Sequence, residues 1–134
     1  MAGLPWSEEV YPCPCCGYRV FRLPPGYHGV CPICAWEDDL AQLRFPLMPG
    51  GANRVSLVEA QKNYAACGAA ERRNAGRTRE PLPGERRDEA WRPVNVEGDN
   101  IEEPERGGDY KTSYPRDPTV LYYWRETYWR RRAS

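Results

Sequence analysis

The sequence predicts a small α+β domain with a cysteine-bearing ribbon at its N-terminus. Three observations point there. Two short cysteine pairs, Cys13-Pro14-Cys15-Cys16-Gly17 and Cys31-Pro32-Ile33-Cys34, lie fourteen residues apart. One stretch, near 57–67, carries a helix with both of its caps. The remainder is polar, with 14 prolines and 12 glycines in 134 residues, too little apolar material for a large core.

At this length one domain over 1–134 is the default. The opening Met1–Glu9 has neither a basic n-region nor an apolar h-region, so no signal peptide is expected. No run approaches the roughly 18 apolar residues of a membrane span. The expected setting is therefore the reducing cytoplasm, where cysteines serve as metal ligands or reactive thiols more often than as disulfides.

Residues 10–36 hold five of the six cysteines. Tyr18-Arg19-Val20-Phe21-Arg22 alternates like a strand, and Leu23-Pro24-Pro25-Gly26 is a turn. Short antiparallel strands are expected to carry the cysteine turns. Each C-x-x-C turn can aim two sulfurs at one point, and two such turns supply four ligands for a tetrahedral ion. Cys13, Cys16, Cys31 and Cys34 are the predicted ligands of one structural zinc ion, which makes the segment a zinc ribbon. Four thiolates leave no open coordination position. Gly17 suits a turn exit that needs a positive φ, and Pro14 and Pro32 preset φ within the turns. Two other readings of these cysteines are buried small residues without metal, and a thiol redox pair. The second lacks the alternating α/β pattern of a thioredoxin-like site. Cys15 is expected as a partly exposed turn residue, with a reactive thiol as the sharper reading. Cys67 is expected to be a small buried residue. His28 could replace a cysteine, but four sulfurs already fill the shell and a turn position is favoured.

Residues 37–55 read as a loop, acidic at first, then marked by Pro46, Pro49, Gly50 and Gly51. The carboxylates after Trp36 (Glu37, Asp38 and Asp39) are expected in a solvated turn paired with Arg44, with a grip on a basic partner as the alternative. Trp36 itself is expected to pack on the ribbon. Gly50-Gly51-Ala52-Asn53-Arg54 matches no phosphate loop and is expected to be a plain connection.

Ser56 with Glu59 three places on is a capping box. Leu57, Ala60, Tyr64 and Cys67 then recur at helical spacing, and Gly68 is a C-cap. This is the best-signalled helix, within 56–68. Residues 69–117 are rich in Arg, Glu, Pro and Gly, punctuated by Leu82, Trp91, Val94, Val96, Ile101 and Tyr110. Such spaced anchors predict an irregular arm wrapping a surface, against a disordered alternative. Asp117-Pro118 opens a second helix near 118–132, with Asp at N-cap and Pro at N1. Val120, Leu121, Trp124 and Tyr128 lie on one side of that helix.

Nineteen Lys and Arg balance nineteen Asp and Glu, so there is no global field to attract nucleic acid. Locally, Arg125, Arg130, Arg131 and Arg132 could complement a helix C-terminus. Alternatively they form a patch for phosphate or an acidic protein, with Trp124, Tyr128 and Trp129 beside it for stacking. One histidine and no nucleophile–base pair leave little room for acid–base chemistry, and enzyme activity is not expected.

The stretches Tyr11–Gly17, Cys31-Pro32-Ile33-Cys34-Ala35-Trp36-Glu37-Asp38-Asp39, Gly50-Gly51-Ala52-Asn53 and Ser56–Ala60 together resemble the bacterial cysteine-rich CPCC family. Trp91-Arg92-Pro93 and Leu121-Tyr122-Tyr123-Trp124-Arg125 look like pieces of its longer members. Ala35 departs from the family pattern, where an aromatic residue is common. The resemblance implies an ordered arm and supplies no established activity to carry over. The function expected is a non-enzymatic, zinc-stabilised binding module for another protein, a toxin being one such partner. Nucleic-acid binding through the C-terminal arginines and a thiol redox role are the alternatives. No membrane role is expected.

Overall fold

The computed structural model describes residues 9–131. Its regular elements are few and short, and they come in the expected α+β arrangement. Strand β1 (Tyr11–Pro12) pairs antiparallel with β2 (Arg19–Phe21), with Tyr11 opposite Phe21 and Pro12 opposite Arg19. The ladder is irregular between Tyr11 and Pro12. Pro12 has no N–H to donate, and Cys13 already belongs to the first cysteine turn. On its far side β2 is met by the arm: Arg19 N donates to Arg86 O at 2.9 Å, and Tyr18 bridges to Arg87.

Helix α1 (Leu40–Arg44) occupies part of the expected loop. Asp39 is its N-cap and accepts from the N–H groups of Ala41 and Gln42 at 2.8 and 3.2 Å. Helix α2 (Leu57–Cys67) has the predicted bounds. Ser56 Oγ accepts from Glu59 N, and Gly68 closes the helix at φ +77° with its N–H on Tyr64 O. Leu57, Val58, Ala60 and Gln61 form its buried side. A 3-10 segment, Arg72–Arg77, follows.

The expected C-terminal helix is corrected. Asp117 caps as predicted, accepting from Thr119 N, but the segment is a single 3-10 turn, Pro118–Leu121. Residues 122–131 continue as turns, and Trp129 N bonds Val120 O at 2.9 Å. The cause is burial. Tyr122, Tyr123 and Trp124 are all buried. Consecutive residues on a helix step about 100° around its axis, so three in a row cannot share one face. An irregular backbone buries all three.

The arm is ordered. Trp91, Val94, Ile101 and Tyr110 are partly buried as expected, whereas Leu82 and Val96 face solvent and are not anchors. Polar bonds replace them. Val94 N donates to Gln61 Oε1 at 2.9 Å, Tyr123 Oη donates to Arg92 O, and Arg44 forms a two-pronged ion pair with Glu102 at 2.9 and 3.1 Å.

The core surrounds the cysteines. Cys13, Cys15, Cys16, Cys31 and Cys34 pack with Ile33, Trp36, Leu43, Leu57, Ala60 and the aromatics of 122–128. Trp36 is fully buried, as expected. Its indole N–H has no hydrogen-bond partner among the described residues, a cost of about 1–3 kcal/mol that burial of the large apolar ring offsets. No helix among the described residues is long and apolar enough to cross a membrane.

Candidate metal centre

The two cysteine turns are built alike. In the first, Gly17 N donates to Cys13 O at 2.6 Å and Cys13 N to Tyr18 O at 2.8 Å. In the second, Ala35 N donates to Cys31 O at 2.8 Å and Cys31 N to Trp36 O at 2.9 Å. Each turn folds its two sulfurs to one side and leaves through a residue with positive φ, Gly17 at 85° and Ala35 at 66°. Gly17 thus takes the conformation the sequence predicts.

The turns face each other. The sulfurs of Cys13, Cys16, Cys31 and Cys34 all lie within 4.8 Å of one another and all four residues are buried. Cys13 Sγ is 3.6 Å from Cys34 Sγ, and Cys16 Sγ is 3.7 Å from Cys31 Sγ. A tetrahedron of metal–sulfur bonds near 2.3 Å has an edge of roughly 3.7 Å. The four predicted ligands are therefore brought together at a spacing that could hold a metal ion, and no disulfide joins them.

Electrostatics favours the same reading. Burial pushes the thiols of Cys13 and Cys34 well above their ordinary value, while bonds from Cys13, Cys16 and Cys34 pull that of Cys31 down. A divalent cation at the centre would offset part of the negative charge of four thiolates and so favour their deprotonated form.

The carbonyls of the first turn are clamped from outside. Pro14 O accepts from Gln61 Nε2 of α2 and from Trp91 Nε1 of the arm, both at 3.0 Å. Cys16 O accepts from Arg87 Nε at 2.9 Å, and Gly17 O from Asp88 N at 2.8 Å. The second turn is tied by Ala70 N to Cys34 O at 2.8 Å. Bonds of this kind orient the ligand-bearing backbone of the folded chain.

Several neighbouring expectations change. Cys15 is fully buried rather than partly exposed, and burial raises its thiol; reactive cysteines need the opposite surroundings. Cys67 is half-buried at the end of α2. His28 stays at a turn, exposed and 3.2 Å from Glu37, as expected. The acidic run is not a solvated turn paired with Arg44. Asp38 accepts from Gly26 N and Tyr27 N, Asp39 from α1 and from Ala52 N, and Arg44 turns instead to Glu102. The glycine loop is a connection, but a tightly packed one: a Cβ on Gly51 would lie 2.6 Å from Asp39 Oδ2. Asn53 within it accepts from Glu37 N and bonds the buried Gln42 amide.

The C-terminal arginines do not cap a helix. Arg125 Nε binds Asp88 Oδ2 at 3.0 Å and Arg130 Nε binds Asn100 O at 2.9 Å. Arg131 lines a cleft with Tyr123 and Tyr128, and Arg132 lies outside the described residues. Sequence reasoning missed Asp88, which ties Arg19, Trp124 and Arg125 together. Nothing in its local context, Arg87-Asp88-Glu89, sets it apart from a surface charge.

Among curated proteins none matches the chain. The sequence model of the cysteine-rich CPCC family matches residues 11–85. The matched stretch holds both cysteine turns and both α-helices, and it ends before Trp91-Arg92-Pro93 and the 121–125 aromatics. Covering more than half of the chain and all four clustered cysteines, this match shows that the protein belongs to the cysteine-rich CPCC family.

Proposed function

We propose that this chain is a zinc-stabilised, non-enzymatic binding module that works in the cytoplasm by contacting another protein. The observation that carries the reading is the convergence of four buried sulfurs. Zinc suits an all-sulfur tetrahedral site, and Cys13, Cys16, Cys31 and Cys34 would hold it. With four protein ligands the ion has no position for substrate, so its contribution is to folding.

Support for a protein partner comes from the loop that joins the two cysteine turns. Leu23, Tyr27 and Val30 there are 54%, 65% and 57% exposed. Phe21, Leu23 and Tyr27 line a shallow depression of about 130 Å³. Exposed apolar groups gathered on a rigid support are a common form of protein-binding surface. A toxin is one kind of partner such a small module would fit.

The reading has two tests. Purified protein should contain one zinc per chain by elemental analysis, and metal-free protein prepared under reducing conditions that still folds would overturn the structural role. Capture from host lysate should retain one protein reproducibly, and the double substitution Leu23→Ser with Tyr27→Ser should release it. A retained partner indifferent to both substitutions would move the binding surface elsewhere.

A further inference from the structure

Away from the cysteine cluster, one open cleft of about 390 Å³ is lined by three arginines from distant parts of the chain. Arg19 comes from β2, Arg86 from the arm and Arg125 from the C-terminal turns; Glu9, Val10 and Gly84 complete the walls. Asp88, itself buried, fixes two of the three. Arg19 donates Nε and Nη2 to Asp88 Oδ1 at 3.2 and 2.6 Å, and Arg125 donates Nε to Oδ2 at 3.0 Å. Trp124 Nε1 also donates to Oδ2, at 2.7 Å. The Arg125 guanidinium lies over Tyr122, with Cζ 4.7 Å from the ring centroid. Arg86 is rooted by its own backbone carbonyl, which accepts from Arg19 N.

One guanidinium is enough to neutralise a buried carboxylate. A second on the same carboxylate and a third at the wall exceed what the fold requires. Among the described residues, three cations stand against the carboxylates of Asp88 and Glu9, an excess of positive charge. Each guanidinium carries five donors in a planar fork, and Asp88 takes two from Arg19 and one from Arg125. Folding has already oriented Arg19 and Arg125 through Asp88, so a ligand would bind without ordering those two anew.

We propose that this cleft binds a phosphate monoester, with the phosphate oxygens held by Arg19, Arg86 and Arg125. Guanidinium forks match phosphate geometry in two-pronged fashion. A phosphate offers three oxygens to guanidinium forks drawn from three directions, where a carboxylate offers two. The volume lies in the range of small-molecule sites, which leaves room for an organic group on the phosphate beside Val10.

The test is an NMR titration of the metal-bound full chain at constant ionic strength, with phenyl phosphate, inorganic phosphate and benzoate as probes. Phenyl phosphate should shift the Nε–H signals of Arg19 and Arg125 saturably, more tightly than inorganic phosphate, and benzoate should bind most weakly. Arg86→Gln removes one charged donor without touching the Asp88 bonds. It should weaken phenyl phosphate about tenfold and leave the backbone spectrum and Tm unchanged, and Arg86→Glu should abolish binding. Shifts that never saturate, an affinity indifferent to Arg86→Gln, or benzoate binding as tightly as phenyl phosphate would each overturn the proposal. Equal affinity for inorganic and phenyl phosphate would overturn the organic part of it.

Discussion

Gly17 and Ala35 stand at the same place in the two cysteine turns and share one backbone conformation, φ +85° and +66°. Their surroundings differ. A Cβ on Gly17 would lie 2.5 Å from Cδ2 of Trp91, whereas Ala35 lines an open cleft. A left-handed φ costs a residue with a Cβ roughly 1–2 kcal/mol, and glycine adds about 0.4–1 kcal/mol of unfolded-state entropy against folding. Ala35→Gly should therefore stabilise the protein, by about 0.5–1 kcal/mol. Gly17→Ala meets both the backbone penalty and a collision with a pinned indole, and should cost roughly 2–5 kcal/mol. Urea denaturation of metal-saturated protein checks both. A stabilising Gly17→Ala would mean that Trp91 does not sit over the first turn.

The four-cysteine cluster is the middle of the core, so removal of an ion held there should act on the whole fold. A strong chelator under reducing conditions should abolish the cooperative thermal transition, and added zinc should restore it. Cys34→Ser should lose stoichiometric metal. Cys15→Ala, beside a ligand and buried but outside the four, should keep one metal per chain and cost only about 1–2 kcal/mol. Metal content and Tm measured on the same samples separate the two. Loss of metal in Cys15→Ala would redraw the ligand set.

Local signals were legible and distant ones were not. The capping box at Ser56, the glycine stop at Gly68 and the paired C-P-x-C turns are short-range rules, and helix α2 and the four-cysteine cluster appear where those rules put them. Helix α1 was legible in principle: Asp39 with Gln42 three places on is the same capping pattern, hidden by the prolines and glycines that follow. The C-terminal helix failed because the apolar face was read as one side of a cylinder, while the core takes Tyr122, Tyr123 and Trp124 together. The roles of Asp88, Arg44 and Glu102 depend on partners 36 to 69 residues away, beyond any local pattern.

Asp88 gives a pH signature. Burial alone would raise its carboxyl, but bonds from Arg125, Trp124 and Arg19 outweigh that and hold it below the ordinary carboxylate value. A carboxyl depressed on folding contributes stability that is complete above its unfolded value, near 3.9. That contribution is lost as pH falls from there towards the lower folded value. Asp88→Asn should cost about 3 kcal/mol at pH 7, the scale of breaking a buried ion pair. The gap between variant and parent should be flat from pH 5 to 8 and close below about pH 4. Paired denaturation curves across that range measure it, and a gap that widened in acid would reverse the assignment.

Arg44 is the latch of the arm. Its guanidinium is buried among four aromatic rings, with Cζ 5.0 Å from the centroid of Phe45, 5.1 Å from Tyr110, 4.6 Å from Tyr114 and 5.1 Å from Trp129. It forks onto Glu102 and donates to Ser113 Oγ at 3.1 Å. One side chain on α1 thus holds both ends of the 102–114 stretch and the ring of Trp129. Lysine keeps the charge but has no planar fork, so it loses the paired bonds to Glu102 and the flat stacking. Arg44→Lys should cost roughly 2–3 kcal/mol. The loss should be local, because the Arg44 contacts lie on the arm and the C-terminal turns while the cysteine turns are clamped by Gln61, Trp91 and Arg87. Hydrogen exchange should quicken across 102–114, and metal content should stay at one per chain. Exchange that quickened equally in both cysteine turns would show that the arm and the metal centre unfold as one unit.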